Sequence, residues 1–562
     1  MREAGHEVSV EFDIADSVTE EAIALWQPAL VIAPFLKRRI PPAVWQRVPC
    51  WVVHPGPPGD GGPSSLDWAV LRGLGHWGVT VLQATDKLDG GPVWAWRGFA
   101  LRPGASKSSL YRHELTAAAV EAVMAALAAF AADSARPPRQ PAWPHGPTGW
   151  QPLIRQPERA IDWAADDTAT TQRKIASADG APGAVGALAG APWRLFDAHP
   201  ATPATVAAYR ARQVEPGSLL ARRGPAVLVA MRDAALWIGH LRSLGRDAED
   251  ALKRPAVDAL DAAAAALPEA AVPLLRPAAE WDEVRLDLLG PPGAQVAWLE
   301  VEAHNGAWSD RQCARVLTAL AEVQASPATV LVLAGGADFF CNGIHLHAIE
   351  AAAHRSGDSA ADASWRNIEA MDDVVLALLT MTDRLTVAAL RGNAGAGGCF
   401  VALACDEAWA HGGVVLNPHY KNMGNLYGSE YWTHTLPRRV GAEAAAALMQ
   451  RRWPTGAGQA VREGLLDACL TGDGSGFTAA AHSRALALAA APGLADRLRD
   501  KAARRAADEA ARPLAAYRAD ELARMRRNFY GFDPSYHVAR HHFVHRKPQA
   551  WTPRHLALHR GP

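Results

Sequence analysis

A histidine followed by a glycine- and proline-rich loop is the first chemical feature of the sequence. His54 ends the apolar run CWVVH and opens the loop HPGPPGDGGPSSLDW, residues 54–68. Glycine permits positive φ, proline stiffens the chain, and Ser64 or Ser65 is predicted to cap the helix that follows. Such a loop after a strand is typical of a ligand site. Simple packing explains an isolated histidine equally well, so the interpretation depends on finding partners.

Asp89 is the partner that the sequence offers. It follows a second β-prone run in WGVTVLQATDKLDGG. Because ligands of parallel sheets bind at the carboxyl ends of the strands, we expect His54 and Asp89 to face one site. An imidazole oriented by a carboxylate can move a proton and stabilise a tetrahedral intermediate of acyl transfer. The alternative is a buried histidine paired with a helix-capping aspartate.

Two glycine-containing turns in the second half predict an oxyanion-binding site. They lie in ADFFCNGIHLHAIE (337–350) and RGNAGAGGCFVALACDEAWA (391–410). A glycine-rich turn from a strand into a helix exposes backbone N–H groups at the positive end of the helix, where they can bind an enolate or oxyanion. One such turn alone is also compatible with tight helix packing.

The elements that must position these residues divide the chain into an α/β multidomain protein. Residues 1–149 alternate short strands with helices, which predicts a parallel-sheet domain of the Rossmann type. Residues 150–252 predict a small β-rich module resembling an open barrel. An Ala/Pro-rich linker is expected over 253–283, and 284–562 begins a new α/β unit that ends in Ala/Arg-rich helices.

Composition excludes several function classes. The formal net charge is −1, so no global field attracts nucleic acid or an anionic membrane. The six cysteines are scattered singly, without zinc spacing, which favours reduced thiols in the cytoplasm. The amino-terminal residues lack an apolar signal-peptide core, and no uncharged apolar run of membrane-spanning length is expected.

The first half resembles the folate-dependent formyltransferases. Their pattern runs N-x-H, a Pro/Gly loop, then G-V-T followed by L-D-x-G, and His54 and Asp89 match its catalytic His and Asp. RAIDW (159–163) resembles the start of that family's second domain. Val52 replaces the family's asparagine. The chain begins at a point equivalent to the family's first helix or second strand, so either the true start lies upstream or the folate-binding half is incomplete.

The second half resembles the crotonase superfamily of acyl-CoA enzymes. By motif position, the resemblance implies oxyanion-hole donors at the amides of Ile344 and Gly397. Ordinary hydratases carry a glutamate where this chain has Phe400, and their second glutamate is also missing. Tyr420 and Glu430, within NPHYKNMGNLYGSEYW (417–432), are the acid/base candidates.

Together the two halves resemble the hydrogenase maturation factors of the HypX/HoxX type. The quoted loops, SWRNIEAMDD (364–373) and YHVARHHFVHRK (536–547) carry the resemblance, although Gly61 stands where relatives usually have arginine. It implies formyl transfer from 10-formyltetrahydrofolate to coenzyme A, then decarbonylation of formyl-CoA to carbon monoxide for a [NiFe] hydrogenase. It also implies decarbonylation by Tyr420 and Glu430, a CoA contact at Arg546, and an association with the hydrogenase large subunit or its maturation machinery.

Two other functions are compatible with the same residues. One is a formyltransferase/crotonase fusion of different specificity, acting on an amine or nucleotide sugar. The other is a non-catalytic CoA-binding module for hydrogenase assembly. No metal is expected, because we interpret the clusters HLH (345–347) and HHFVH (541–545) as lacking supporting carboxylate or thiolate ligands.

Overall fold

The computed structural model describes residues 1–210, 214–245 and 252–561. Within these ranges the chain forms four β-sheets flanked by helices, which confirms the predicted multidomain α/β class. Residues 246–251, at the end of the second predicted domain, lie outside the described residues. The division into domains at the stated boundaries stays a prediction.

The first part of the chain contains a four-stranded sheet. After a 3₁₀ turn at Arg2–Ala4, its elements are α1 (Asp16–Trp26), β1 (Val31–Pro34), α2 (Pro42–Trp45), β2 (Cys50–His54), α3 (Ser65–Arg72), β3 (His76–Gln83), β4 (Val93–Ala100), α4 (Lys107–Leu110), a π-helical turn (Tyr111–Leu115) and α5 (Thr116–Ala132).

The strand directions of this sheet differ from the prediction. The order is β1-β2-β3-β4; β1 and β2 are parallel, as expected, whereas β3 is antiparallel to both β2 and β4. The connection between β3 and β4 is too short to cross over and return in parallel, which accounts for the antiparallel pairing of these two strands. The sheet is therefore mixed.

The helical run Lys107–Ala132 is long and apolar enough to cross a membrane by length and composition alone. Such a run is weak grounds for a membrane segment, because the core helix of a soluble domain passes the same test. Here Ala118, Ala122 and Ala126 are buried against the sheet, as expected for a helix that covers one face of it.

The middle part is a β-rich module. Its elements are α6 (Gln156–Arg159), α7 (Thr168–Ala176), β5 (Ala184–Leu188), β6 (Ala191–Pro200), α8 (Pro203–Arg210), β7 (Leu219–Arg223), β8 (Ala226–Ala230), β9 (Ala235–Arg242), β10 (Arg254–Pro255), α9 (Ala256–Leu260) and α10 (Ala262–Ala265). The strands form one antiparallel sheet in the order β5-β6-β9-β8-β7, with β10 added beside β9.

The segment 253–283, predicted as a linker, is packed in its first part. β10 pairs with β9, and Ala256, Leu260 and Ala264 are buried in the core of the β-rich module. The sequence misled because alanine is short and abundant in flexible linkers, yet it also fits closely against a sheet. This portion of the segment therefore belongs to the folded module.

The last part holds two sheets and most of the helices. Its elements are β11 (Val284–Leu289), β12 (Val296–Val301), α11 (Asp310–Ala325), β13 (Val330–Gly335), β14 (Phe339–Cys341), α12 (Leu346–Ala352), α13 (Ala360–Thr380), β15 (Leu385–Leu390), β16 (Asn393–Gly395), α14 (Gly397–Leu403), β17 (Glu407–His411), β18 (Val415–Asn417), α15 (Trp432–Val440), α16 (Ala442–Gln450), β19 (Thr455–Gly456), α17 (Ala457–Arg462), β20 (Ala468–Leu470), α18 (Gly474–Ala489), α19 (Leu494–Ala511), α20 (Leu514–Tyr530) and α21 (Ser535–Val544), with 3₁₀ turns at His304–Gly306 and Leu558–Arg560.

The larger of these sheets runs β11-β12-β13-β15-β17-β20, and the smaller runs β14-β16-β18-β19. From β12 to β20 the strands of the larger sheet are parallel. Parallel strands are covered on both faces, which explains why β13 and β15 are apolar and buried along their whole length. The turns predicted to bind an oxyanion follow β14 and β16 of the smaller sheet.

The beginning and the end of the described chain pack against each other. The Val10 amide donates to the Leu556 carbonyl at 2.9 Å, and the Phe12 amide donates to the Thr552 hydroxyl at 2.8 Å. Glu11 accepts from His559 at 2.8 Å and also pairs with Arg560. These contacts bring the segment before α1 onto the segment after α21.

Candidate active sites

The first site forms around His54, the last residue of β2. Its side chain is buried, with Nε2 2.8 Å from Oδ2 of Asp60 and Nδ1 3.8 Å from Oδ1 of Asp89. The structure therefore places the imidazole between two carboxylates and brings the predicted pair together. Asp60 is a partner that the sequence argument did not single out, although it lies in the quoted loop.

Asp89 reaches His54 by a different route from the one expected. In the register of β2 and β3, Gln83 lies beside Trp51, so the carboxyl end of β3 lies beside the start of β2. Residues 84–92 then carry Asp89 back toward His54. Asp89 has a φ of +52° and accepts a hydrogen bond from the Gly62 amide at 2.9 Å, which holds its carboxylate toward the loop.

The loop itself is held by groups that leave no space for larger side chains. A β-carbon on Gly56 would lie 2.1 Å from Oδ2 of Asp60 and 2.6 Å from Nε2 of His54, so only glycine fits there. Ser65 Oγ donates to the Pro55 carbonyl at 2.8 Å, and Ser64 Oγ accepts from the Ile154 amide at 3.1 Å. The two serines at the start of α3 thus hold neighbouring segments, rather than capping the helix as expected.

One carboxylate oxygen in this site has no partner among the described residues. Oδ1 of Asp60 is buried without a hydrogen bond. Buried polar atoms are nearly always paired, so an unpaired one beside a buried histidine is a feature of binding sites. The group can orient the imidazole and accept a hydrogen bond from a ligand at the same time.

The second site forms where the turns after β14 and β16 meet. Gly343 has a φ of +79°, and a β-carbon there would lie 3.4 Å from the amide nitrogen of Gly397, the first residue of α14. The turn containing Ile344 and the turn ending in Gly397 are thus neighbours, as the two motifs predict. The first amides of a helix have no intrahelical acceptor, which suits them to an anionic oxygen.

Glu430 and Tyr420 lie against this turn. A β-carbon on Gly397 would lie 2.0 Å from Oε1 of Glu430, so the carboxyl group rests directly on that glycine. The Tyr420 hydroxyl donates to Oε2 of Glu430 at 2.6 Å, and the Ser429 amide lies 3.2 Å from the same oxygen. Phe400, at the position of the missing glutamate, stacks on Tyr420 with ring centroids 5.5 Å apart.

Burial dominates the electrostatics of the pair. Glu430 is 1% exposed and Tyr420 is 5% exposed. Desolvation, followed by the negative charge of Asp372, raises the pKa of Glu430 to about 8. Desolvation and the charge of Glu430 raise the pKa of Tyr420 well above its usual value. Near neutral pH the pair can therefore hold a proton on the carboxyl group and exchange it with a bound molecule.

Asp372 of α13 positions Glu430 through the backbone and the neighbouring Ser429, and sequence reasoning missed it. Its Oδ1 accepts from the Ser429 hydroxyl at 2.6 Å and from the Glu430 amide at 2.8 Å. Glu430 has a φ of +58°, a conformation that costs free energy unless its surroundings fix it. The one available signal was an acidic residue on the buried face of a helix that also carries Ile368 and Met371.

Glu521 of α20 completes the support. It accepts from the Tyr431 amide at 2.9 Å and from the Thr433 amide at 2.8 Å, and it is fully buried. Tyr431 also has a positive φ, +56°. Thus α13 and α20, far apart in sequence, both hold the segment that carries the carboxyl group.

Arg546 lies just after α21. Together with burial, its charge contributes to lowering the pKa of Arg242 to about 10 and of Lys253 to about 8. The three cations therefore lie near one another. Lys253 Nζ lies 4.0 Å from the centroid of the Phe196 ring, and these groups suit an anionic ligand such as a phosphate.

Two known families match parts of the chain. Residues 153–253 match the family described as "Formyl transferase, C-terminal domain", and residues 295–552 match "Enoyl-CoA hydratase/isomerase". The fold and the sites therefore define a fusion of formyltransferase and crotonase modules.

Individual proteins similar to the chain identify its family more narrowly than the two domain families do. The hydrogenase maturation factor HoxX of Bradyrhizobium diazoefficiens is 49% identical over the whole chain and 94% of the relative's length. The crystal structure of HypX from Aquifex aeolicus in complex with tetrahydrofolic acid is 40% identical, with a TM-score of 0.91 over the whole chain and 95% of its own. A variant of the Aquifex protein has the same TM-score, identity and coverage. The chain belongs to the HypX/HoxX family of hydrogenase maturation factors.

Proposed function

We propose that this protein makes carbon monoxide for the maturation of a [NiFe] hydrogenase. In the first step, formyl passes from 10-formyltetrahydrofolate to the thiol of coenzyme A. In the second step, formyl-CoA loses carbon monoxide and regenerates the thiol. The observation that carries the proposal is the buried Tyr420–Glu430 pair lying on the Gly397 turn of a crotonase module that lacks the hydratase glutamates.

The first step is assigned to the His54 site. The thiol attacks the formyl carbon, its proton passes to a base, and the folate nitrogen leaves with a proton. His54 between Asp60 and Asp89 suits this proton transfer, because the carboxylates orient the imidazole. The relative from Aquifex was crystallised with tetrahydrofolic acid, which supports a folate in this half.

The second step is assigned to the Glu430 site. The carboxylate of Glu430 takes the formyl proton while the bond from carbon to sulfur breaks, releasing carbon monoxide. The thiolate then recovers the proton from Glu430, so atoms and charges balance. Tyr420 donates to Glu430 and orients it, and the amides of Ile344 and Gly397 hold the formyl oxygen.

Coenzyme A would also need a site for its phosphates. The cationic group formed by Arg546, Arg242 and Lys253 fits this requirement. The two halves are docked where Arg112 and His113 contact Asp338 at 3.0 and 3.1 Å, within the motif that contains Ile344. We also propose a cytoplasmic location and an association with the hydrogenase large subunit or its maturation machinery.

The test is to measure headspace carbon monoxide from purified protein in two reactions. One contains coenzyme A and 10-formyltetrahydrofolate, and the other contains formyl-CoA; a third vessel without coenzyme A is the control. We expect carbon monoxide from both reactions and none from the control. Formylation of an amine in place of coenzyme A, or coenzyme A binding without carbon monoxide from formyl-CoA, would contradict the proposal.

A further inference from the structure

The helices α12 and α21 meet at a cluster of one carboxylate and two imidazoles that neither proposed step uses. Glu350 is 5% exposed. Its Oε1 lies 3.1 Å from Nδ1 of His541 and 3.1 Å from Nε2 of His545. The expectation that HHFVH binds no metal depended on the lack of a carboxylate partner, and that premise is wrong, because α12 supplies one from about 190 positions earlier.

The atoms that converge here are a ligand set for a transition metal. Histidines four positions apart lie on one face of a helix, and two imidazole nitrogens with a carboxylate oxygen are typical ligands of zinc and its neighbours. An ion held at about 2.1 Å by a tetrahedral set separates its ligand atoms by about 3.4 Å. The 3.1 Å separations between Oε1 and the two nitrogens are already near that value.

Arg540 leaves this ligand set intact. Its Nε donates to Oε2 of Glu350 at 2.7 Å, so it occupies the oxygen that faces away from the histidines and fixes the carboxylate in place. Outer partners of this kind orient metal ligands in proteins.

An ion can reach the cluster from solvent. The side chain of His541 is 43% exposed, whereas those of His545 and Glu350 are each 6% exposed. The open side leaves a place for water as a further ligand.

A second group within the described residues, formed by Asp197, His240 and His304, also has ligand atoms close together. It is a weaker candidate, because the ammonium of Lys253 lies 3.3 Å from Nε2 of His304 and repels a cation.

We propose that Glu350, His541 and His545 form a binding site for a divalent transition-metal ion of the zinc, cobalt or nickel type. The bound ion joins α12, which follows the Ile344 turn, to α21, which precedes Arg546. Its role is to fix these two helices against each other, so its loss lowers stability. The site is independent of the function proposed above.

The test is a Co²⁺ titration of the full-length protein after removal of metal by a chelator. Visible absorption reports Co²⁺ in a low-symmetry site, and equilibrium dialysis gives the stoichiometry. Wild type and the matched control H542A, which changes an exposed neighbouring histidine, are expected to bind one ion more than the double variant H541A/H545A. They are also expected to unfold at a higher temperature with metal than without.

The single variant H541A covers the case in which the double variant does not fold. Because His541 is partly exposed, its loss is expected to leave the fold intact and to weaken binding by about tenfold or more. Equal stoichiometry in wild type and H541A/H545A, or equal affinity in wild type and H541A, would overturn the proposal and leave the cluster as an ion-pair network.

Discussion

The two candidate sites are built in opposite ways. The His54 site takes its titratable groups from residues 54–89, a single stretch that runs from the end of β2 through a loop, α3 and β3 into the turn before β4. The Glu430 site takes its support from α13, α20 and the segment 420–433, which are separated by up to 150 positions. A site built from one stretch of sequence can be recognised in a short motif. A site built from distant segments can be recognised only by the residues that lie in its motifs. The dispersed site is also the one whose carboxyl group carries the strongly raised pKa.

The largest expected effect separates the two sites. E430Q keeps the size of the side chain and a hydrogen-bond acceptor for Tyr420, but it removes the proton acceptor. We expect carbon monoxide release from formyl-CoA to fall by about 10³-fold, while formyl transfer to coenzyme A continues. Quantifying both products in one reaction checks this. Equal losses in the two steps would mean that the sites are not separate.

The reciprocal change is H54A. Removing the imidazole is expected to lower formyl transfer from 10-formyltetrahydrofolate by about 10²-fold or more, and to leave carbon monoxide release from added formyl-CoA within about twofold of wild type. H76A, which changes an exposed histidine of β3, is the control for a general effect of histidine loss. If carbon monoxide release from formyl-CoA fell equally in H54A, the assignment of the steps would be reversed or shared.

The prediction from the sequence was uneven for physical reasons. His54 and Asp89 could be paired because both occur in short motifs, even though the strand direction used to pair them was wrong for β3. Tyr420, Glu430 and Gly397 could be placed together because the motifs keep a fixed order. Asp372 and Glu521 could not be predicted, because the sequence does not distinguish a carboxylate buried by tertiary contacts from one on a solvated helix face.

The substitution D372N tests the support that Asp372 gives to Glu430, through the pH dependence of carbon monoxide release. Burial raises the pKa of Asp372 to about 6, so it is ionised above that pH and disfavours the charged form of Glu430. Because the carboxylate of Glu430 is the proposed base, the wild-type rate of carbon monoxide release should rise with pH and level off above about 8. D372N keeps an acceptor and removes the charge, so the midpoint should fall by roughly one pH unit.

The control for D372N is D373N, which changes the exposed neighbour paired with Arg518. Its midpoint should stay near that of wild type. A profile for D372N that has the wild-type midpoint and only a lower maximum would show that Asp372 acts through geometry alone.

The smallest expected effect concerns stability. Ser429 Oγ donates to buried Asp372 at 2.6 Å, and S429A leaves that carboxylate with one donor fewer. We expect a loss of about 1–3 kcal/mol in the free energy of unfolding, measured by urea denaturation. S483A, on the exposed face of α18, should change it by less than about 0.5 kcal/mol. Equal values for the two variants would mean that the Ser429 contact contributes nothing to the support of Glu430.

The packing of residues 9–12 against 552–560 has a consequence for how the protein is made. These partners are more than 500 positions apart, so residues 9–12 leave the ribosome long before their partners are made. Domains made early fold as units during synthesis, but this contact must wait until residues 552–560 have been made. Until then the segment before α1 is open to proteases and chaperones, and a chain cut short near its end leaves that segment unprotected.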